Sequence, residues 1–337
     1  MVTRTGECTP ARDPGTQGWG GPDCDWRPGA SIDALRLRAR VLRAIRAYFD
    51  AEDVLEVETP SLGSRTVTDP SIESLVARDR TGRAWYLQTS PEFAMKRLLA
   101  AGCGSIYQIT RAFRDGEQGR HHNLEFSILE WYRVGFDHHR LIDDVDALLD
   151  RILGPGPSRR TTFRDAFLRH TGIDPLTASL AELRNACRSH GFASRGTGAA
   201  RDECLDWLLA AAVQPALGPG RVYLLDFPAS QAALARLRAD VAPVAERFEL
   251  YVDGIEIANG YHELRDAGEL HRRMRRDLEA RSAAGRPAPE VDERLLAAHE
   301  AGLPACAGVA VGLDRLVMLA GGYRSLHEVL AFAQDDA

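Results

Sequence analysis

The chain has 337 residues, 45% hydrophobic and 27% charged, enough to bury one large core or two modest ones. A formal net charge of −6 argues against generic nucleic-acid affinity, and no apolar run reaches the roughly 18 residues of a membrane span. The start is Gly-, Pro- and Cys-bearing rather than apolar, so no signal peptide is expected and the protein is expected to be cytoplasmic.

Residues 1–28 read as a flexible tail, and 29–337 as one domain. Ser31 is a candidate N-cap for a long helix carrying Leu35, Val41, Leu42, Ile45, Tyr48 and Phe49 near helical spacing. LEVETP (55–60) reads as a strand. Ser90 then caps a second helix with Pro91 in its first turn and Gly102 at its end. Strand signals return at 105–114 and 124–134. A mostly helical stretch follows at about 138–245, read as an insertion or lid that includes one strand, VYLLDFP (222–228). Strands resume at 246–261, and the chain closes with a strand and helix at 305–320. Strands separated by helical insertions predict an α+β sheet domain.

The six cysteines show no C-x-x-C spacing and are expected to be reduced thiols. The paired histidines His121, His122 and His138, His139 read as solvated or loop residues, and a zinc site is not expected. Lys96 is the only lysine among 42 basic residues, a bias the genome's codon usage explains most simply.

Three blocks carry chemistry. In FELYVDGIEIANGYHEL (248–264), Asp253 and Gly254 give a strong two-residue turn. Such a turn pairs Tyr251 with Glu256 and Glu249 with Ala258, leaving Glu249 and Glu256 diagonal neighbours on one face. Two carboxylates that close repel unless a cation intervenes, and oxygen ligands favour Mg²⁺, above all beside phosphates. An amphipathic hairpin with a wet acidic face is the plainer alternative. Asn259 and Glu263 add polar groups further along the strand. In FRDGEQGRHHNLEFSILEWYR (113–133), Arg114 suits a bidentate carboxylate or phosphate, or serves a structural ion pair. Phe126 offers a stacking face or fills the core. Glu130 and Tyr132, two apart on a strand, suit an ammonium group. In CAGVAVGLDRLVML (306–319), Gly308 and Gly312 allow close backbone approach, and Arg315 opens a helix where an anion can be met.

Taken in order, LEVETP, FRDGE…HHNLEF and GVAVGLDRL resemble motifs 1, 2 and 3 of the class II aminoacyl-tRNA synthetases. TSPEFAMKRLL, EWY and IEIANGYHEL resemble the pocket segments of the lysine-activating branch. The resemblance covers roughly 29–335 and implies the class II catalytic domain, an antiparallel sheet flanked by helices, in a homodimer built through motif 1. No segment before the first block is long enough for the anticodon-binding barrel of the tRNA-charging enzymes. The compact arrangement resembles instead the paralogues that ligate (R)-β-lysine to a lysine of elongation factor P rather than to tRNA. Ser90, where the tRNA enzymes usually carry alanine, and Ala310, where they usually carry glycine, point the same way.

The resemblance implies roles for individual residues. Ser90, Pro91 and Glu92 would contact the substrate amine nearest its carboxylate, and Glu130, Tyr132 and Glu263 the distal ammonium, with Asn259 and Ala310 completing the pocket. Arg114 would bind the carboxylate and the α-phosphate of ATP, and Arg315 the γ-phosphate. Asp115, Gly116, Asn123, Phe126, Glu256, Ile257 and Gly312 would surround the nucleotide, and Glu249 with Glu256 would hold Mg²⁺. Two positions depart from the family pattern. Gly116 stands where motif 2 usually has glutamate, with Glu117 following it, and Leu124 replaces a proline. Competing expectations are a tRNA-charging enzyme, an inactive binding paralogue, and an amide ligase acting on free amino acids.

Overall fold

The computed structural model describes residues 26–191, 200–240 and 242–334; the expected N-terminal tail lies outside them as far as residue 25. Helix α1 (Ile32–Ala51) starts where the sequence predicts, the Ser31 hydroxyl accepting from Ala34 N at 3.1 Å. A two-residue β1 (Leu55–Glu56) is all that LEVETP contributes in strand form. A small separate sheet of β2 (Leu62–Gly63), β3 (Val76–Arg78) and β4 (Ala84–Leu87) precedes α2 (Glu92–Ala100). Helix α2 begins one residue later than expected: Pro91 occupies the cap position, and the Ser90 hydroxyl makes only a long 3.4 Å contact with Glu92 N.

The long hairpin of β5 (Ile106–Phe113) and β6 (Glu125–Val134) leads into α3 (His138–Leu153). Then come β7 (Ser158–Thr162), α4 (Phe163–Thr171), α5 (Leu180–Ser189), α6 (Arg201–Leu208), β8 (Arg221–Pro228) and β9 (Leu237–Arg238). The chain continues through β10 (Val244–Val252), β11 (Ile255–His262), α7 (Ala267–Ala283), α8 (Glu293–Gly302), β12 (Cys306–Gly312) and α9 (Leu313–Ala320). Strand β7 is not legible in the sequence, because its residues SRRTT include no apolar side chain and so no period registers.

The main sheet runs β1-β5-β6-β12-β11-β10-β8-β7, with β9 paired to β10. It is antiparallel throughout its centre and parallel only at the β1–β5 and β7–β8 edges. One face packs the core of α1, α3 and α9, including Phe49, Trp131, Val145, Leu148 and Leu316. The stretch from about 138 to 245 therefore supplies a core helix and three sheet strands, β7, β8 and β9, as well as α4–α6.

On the other face, α4–α6 cover β8 and β10 around Phe163, Phe167, Leu205 and Phe227. Met95 and Leu99 of α2 cover Ile106 and Tyr132. Between these two apolar patches the middle strands are left to polar side chains. No helix among the described residues is long and apolar enough to cross a membrane.

Candidate active site

The β10–β11 hairpin turns at Asp253 and Gly254, with Tyr251 opposite Glu256 as the sequence predicts. Both turn residues hold positive φ, 50° and 78°, which a two-residue turn of this hand requires. Beyond Tyr251 the register slips: Glu249 faces Asn259, not Ala258. One extra residue in β11 is a β-bulge, and a shift by one reverses the facing of every later side chain. Glu256 precedes the bulge, while Asn259, Tyr261 and Glu263 follow it, so residues of opposite parity share a face. Ile257 and Ala258, at the bulge, both bury their side chains in the main core. Only the backbone of Ile257 is left for the site.

Two rows of side chains cross the sheet on this face. One runs Gln108, Glu130, Ala310, Asn259, Glu249; the next runs Ile106, Tyr132, Gly308, Tyr261, Arg247. Gly308 is required where it stands. A Cβ there would meet the Tyr132 ring at 2.3 Å and Glu263 Oε1 at 2.6 Å. Its close neighbour is thus a protein side chain, and the missing Cβ lets Tyr132 lie flat against β12.

Glu130 of the first row, Tyr132 of the next, Glu263 after β11, and Glu92 and Lys96 of α2 form an acidic cluster. Lys96, one helical turn beyond Glu92, places Nζ 2.7 Å from Glu92 Oε1 and 2.6 Å from Glu263 Oε2. Burial works against its charge, but Glu263 and Glu92 outweigh burial and raise its pKa above the ordinary lysine value. Tyr132 donates to Glu130 Oε1 at 2.7 Å, leaving Glu130 Oε2 buried without a partner. Burial chiefly, then Glu92, pushes the Glu130 carboxyl up to about 8, despite the Tyr132 bond and Lys96. Burial pushes Glu263 up to about 7 against the pull of Lys96. Three carboxyl groups around one ammonium would, if all were ionised, leave two excess negative charges in a largely buried cluster, where unpaired charge is costly. Such a site takes up protons or a ligand with two ammonium groups.

Next to it lies a cluster of mixed charge. Arg114 follows β5, its Nε donating to Thr89 O at 3.3 Å and its guanidinium 5.1 Å from the Phe126 ring centroid. Gly116 has φ +77°, and Glu117 follows it with Oε1 3.5 Å from Arg114 Nη1. The left-handed turn at Gly116 so brings Glu117 to the arginine. Asp115 is exposed and is fixed by its backbone N–H, which donates to Glu73 O at 2.9 Å. Arg315 donates to Glu256 O at 2.7 Å and to His121 O at 3.0 Å, and Nη2 lies 2.8 Å from His122 Nε2. Arg315 Nη1 is also 3.7 Å from Glu256 Oε2. Burial and then Glu249 raise the Glu256 carboxyl pKa, while Arg315, Arg247 and Arg114 oppose the shift. Glu249, Glu256, Arg114 and Arg315 thus belong to one electrostatic neighbourhood. Gly312 ends β12 and caps α9, and a Cβ there would meet Arg315 Cδ only at an ordinary 3.7 Å.

Several side chains have partners that the sequence does not announce. The Asn123 side chain is engaged by backbone, donating to Glu125 O at 2.6 Å and accepting from Gln334 N at 3.1 Å. Arg247, which no motif singles out although it stands two residues before Glu249 on β10, supplies a cation to that carboxylate. Its guanidinium binds Glu249 Oε1 at 2.5 Å and Asn259 Oδ1 at 3.2 Å, and packs 4.3 Å from the Phe227 ring centroid. Tyr251 donates to the other Glu249 oxygen. Lys96 stands out in the sequence only as a compositional oddity. A stronger signal is present there: glutamate and lysine four apart on a predicted helix share one face. His138 is buried, not solvated.

Glu249 and Glu256 remain suited to a hard cation. Each Glu249 oxygen accepts one hydrogen bond and has a further lone pair, and the Glu256 carboxyl is partly exposed.

Residues 24–336 match the family described as tRNA synthetases class II (D, K and N). The chain is 47% identical over 319 residues to a Klebsiella pneumoniae subsp. pneumoniae protein named elongation factor P–(R)-beta-lysine ligase. It is 46% identical over 319 residues to the Salmonella typhi protein of that name; each match covers 93% of this chain and 98% of the relative. The chain belongs to the class II tRNA synthetase family, and its antiparallel sheet flanked by helices is that family's α+β catalytic fold.

Proposed function

We propose that this class II family member activates (R)-β-lysine with ATP and transfers it to a lysine ε-amine of elongation factor P. The relatives' shared name supports the substrate and the acceptor. The observation that carries the reading is the gathering of three carboxyl groups, Glu92, Glu130 and Glu263, around the single ammonium of Lys96, beside a cluster of arginines. β-Lysine carries two ammonium groups and one carboxylate, the complement of that arrangement.

In the first step an oxygen of the substrate carboxylate attacks the α-phosphorus of ATP. A new P–O bond forms, the bond to the bridging oxygen breaks, and pyrophosphate leaves. Arg114, half-exposed beside the acidic pocket, orients the carboxylate and meets the charge developing on the α-phosphate. Glu117, brought to Arg114 by the turn at Gly116, takes the place of the acidic residue motif 2 usually carries two residues after its arginine. Phe126 gives the adenine a stacking face. Arg315, anchored by three contacts, is pre-organised for the terminal phosphate. Mg²⁺ held by Glu256 and Glu249 would neutralise phosphate charge; positioning and electrostatics, not a protein nucleophile, carry the step.

In the second step the acceptor ε-amine attacks the acyl carbon. A C–N bond forms, the C–O bond of the mixed anhydride breaks, AMP leaves, and the amine proton passes to phosphate or water. The working unit is a homodimer joined near β1, where Leu55 is 54% exposed beside the Arg46, Glu56 and Tyr107 cluster.

Incubating the protein with ATP, Mg²⁺, (R)-β-lysine and purified elongation factor P tests the reading by mass spectrometry. The factor should gain one β-lysyl group on a lysine. Charging of tRNA with α-lysine in place of that modification would overturn it.

A further inference from the structure

His138, Glu246 and His262, more than a hundred residues apart at the extremes, meet at the start of α3 and the ends of β10 and β11. Each offers a ligand atom within 4.8 Å of the others. His138 is 2% exposed, yet neither of its ring nitrogens has a hydrogen-bond partner. His262 Nδ1 lies 2.7 Å from Glu246 Oε2, but that carboxylate oxygen makes no well-formed hydrogen bond either. Buried imidazole nitrogens are rarely left unpaired, and an orphaned pair calls for an explanation. None of the three residues belongs to the site described above, and α3 packs on the opposite face of the sheet.

We propose that His138, His262 and Glu246 form a binding site for a borderline divalent metal ion, Zn²⁺ in the first instance, that clips the start of α3 to β10 and β11. Two imidazoles and one carboxylate are a common donor set for this ion, leaving a fourth position for water. Zinc–nitrogen and zinc–oxygen bonds of about 2.0–2.2 Å set tetrahedral ligand atoms roughly 3.3–3.6 Å apart, so the farther pairs must draw together and the His262–Glu246 contact must open slightly. The exposed His139, its ring centroid 4.0 Å from that of His138, borders the open side. Burial, followed by the neighbouring His139, lowers the His138 pKa to about 4, so the ring is neutral and ready to ligate at physiological pH. Arg236 and Arg238 lie 3.5 and 4.0 Å from Glu246 and weaken its charge, which favours a site completed by imidazole over one selective for Mg²⁺.

The test uses the full chain freed of metal by chelation, titrated calorimetrically with Zn²⁺ and, in parallel, with Co²⁺ followed by visible absorption. One ion should bind per chain with micromolar affinity or better. The Co²⁺ form should show d–d bands without the thiolate charge-transfer band that binding at Cys103 would add. His138→Leu and His262→Gln should each weaken binding at least about tenfold while leaving amino-acid-dependent pyrophosphate exchange intact. Zn²⁺ should raise the melting temperature of the wild-type chain and not that of either variant. Should His138→Leu fail to fold, His262→Gln decides by the same readouts. Wild-type binding no tighter than that of the folded variants, including no binding at all, would overturn the proposal.

Discussion

Lys96 Nζ lies 2.6 Å from Glu263 Oε2, with neither side chain more than 1% exposed. The only lysine of the chain is therefore a fixed counter-ion between Glu92 and Glu263. Removing one partner of a buried pair costs about 3–5 kcal/mol. Lys96→Met should lose that much stability at neutral pH and recover part of it near pH 5, where the orphaned glutamates take up protons. Urea unfolding at the two pH values measures this, and equal loss at both would contradict the assignment.

The raised carboxyls make a pH prediction. Glu130, at about 8, holds a proton at neutral pH in the free protein. A diammonium ligand must displace it, so binding releases protons and tightens as pH rises from 6 toward 8.5. Calorimetry in buffers of different ionisation enthalpy counts the released proton; a count of zero would sink the charge argument. Stability of the free protein follows the opposite sign. A carboxyl whose folded pKa is raised stabilises the fold below its unfolded value and loses that contribution as pH climbs through about 7 for Glu263 and about 8 for Glu130. Melting temperature without ligand should accordingly fall over that window.

Gly308→Ala tests the close approach of Tyr132. The added methyl meets both the ring and Glu263 Oε1 below van der Waals distance. Tyr132 must move, at a cost of about 1–3 kcal/mol in stability. KM for the amino acid should rise while KM for ATP stays within twofold. An unchanged amino-acid KM would show that Tyr132 does not shape the pocket.

Glu263→Gln removes a charge from the pocket and none from the phosphate cluster. Loss of one partner from a buried charge pair costs about 2–5 kcal/mol, so kcat/KM for the amino acid should fall roughly 100-fold. ATP affinity, read by fluorescent-nucleotide displacement, should be unaffected. A parallel loss of ATP binding would mean the variant disturbs the sheet, not the pocket.

The convergence of Arg114, Glu256 and Arg315 is legible only through the family resemblance, because local pattern fixes the element each lies on and not that the three elements meet. The turn at Asp253 and Gly254 sets the first pairs of the hairpin. The bulge is harder to see, although the residues themselves signal it: Glu256 and Asn259 are three apart and cannot share a face of a regular strand. Arg247 escapes because a lone arginine on an alternating strand reads as a solvated residue. Yet it stands two residues before Glu249, a spacing that puts both side chains on one face of a strand. His138, Glu246 and His262 are invisible for another reason, their meeting being a property of the fold and not of any spacing. Strand β7 is lost because an edge strand needs no apolar face.

The most direct measurement is ATP–pyrophosphate exchange with purified protein and (R)-β-lysine, set against α-lysine and against Arg114→Ala. Exchange should require the diammonium amino acid, favour the β-isomer, and fall by at least about 100-fold in the variant, as loss of a charged contact to the transition state demands. Exchange that proceeds without an amino acid, or that survives loss of Arg114, would contradict the account.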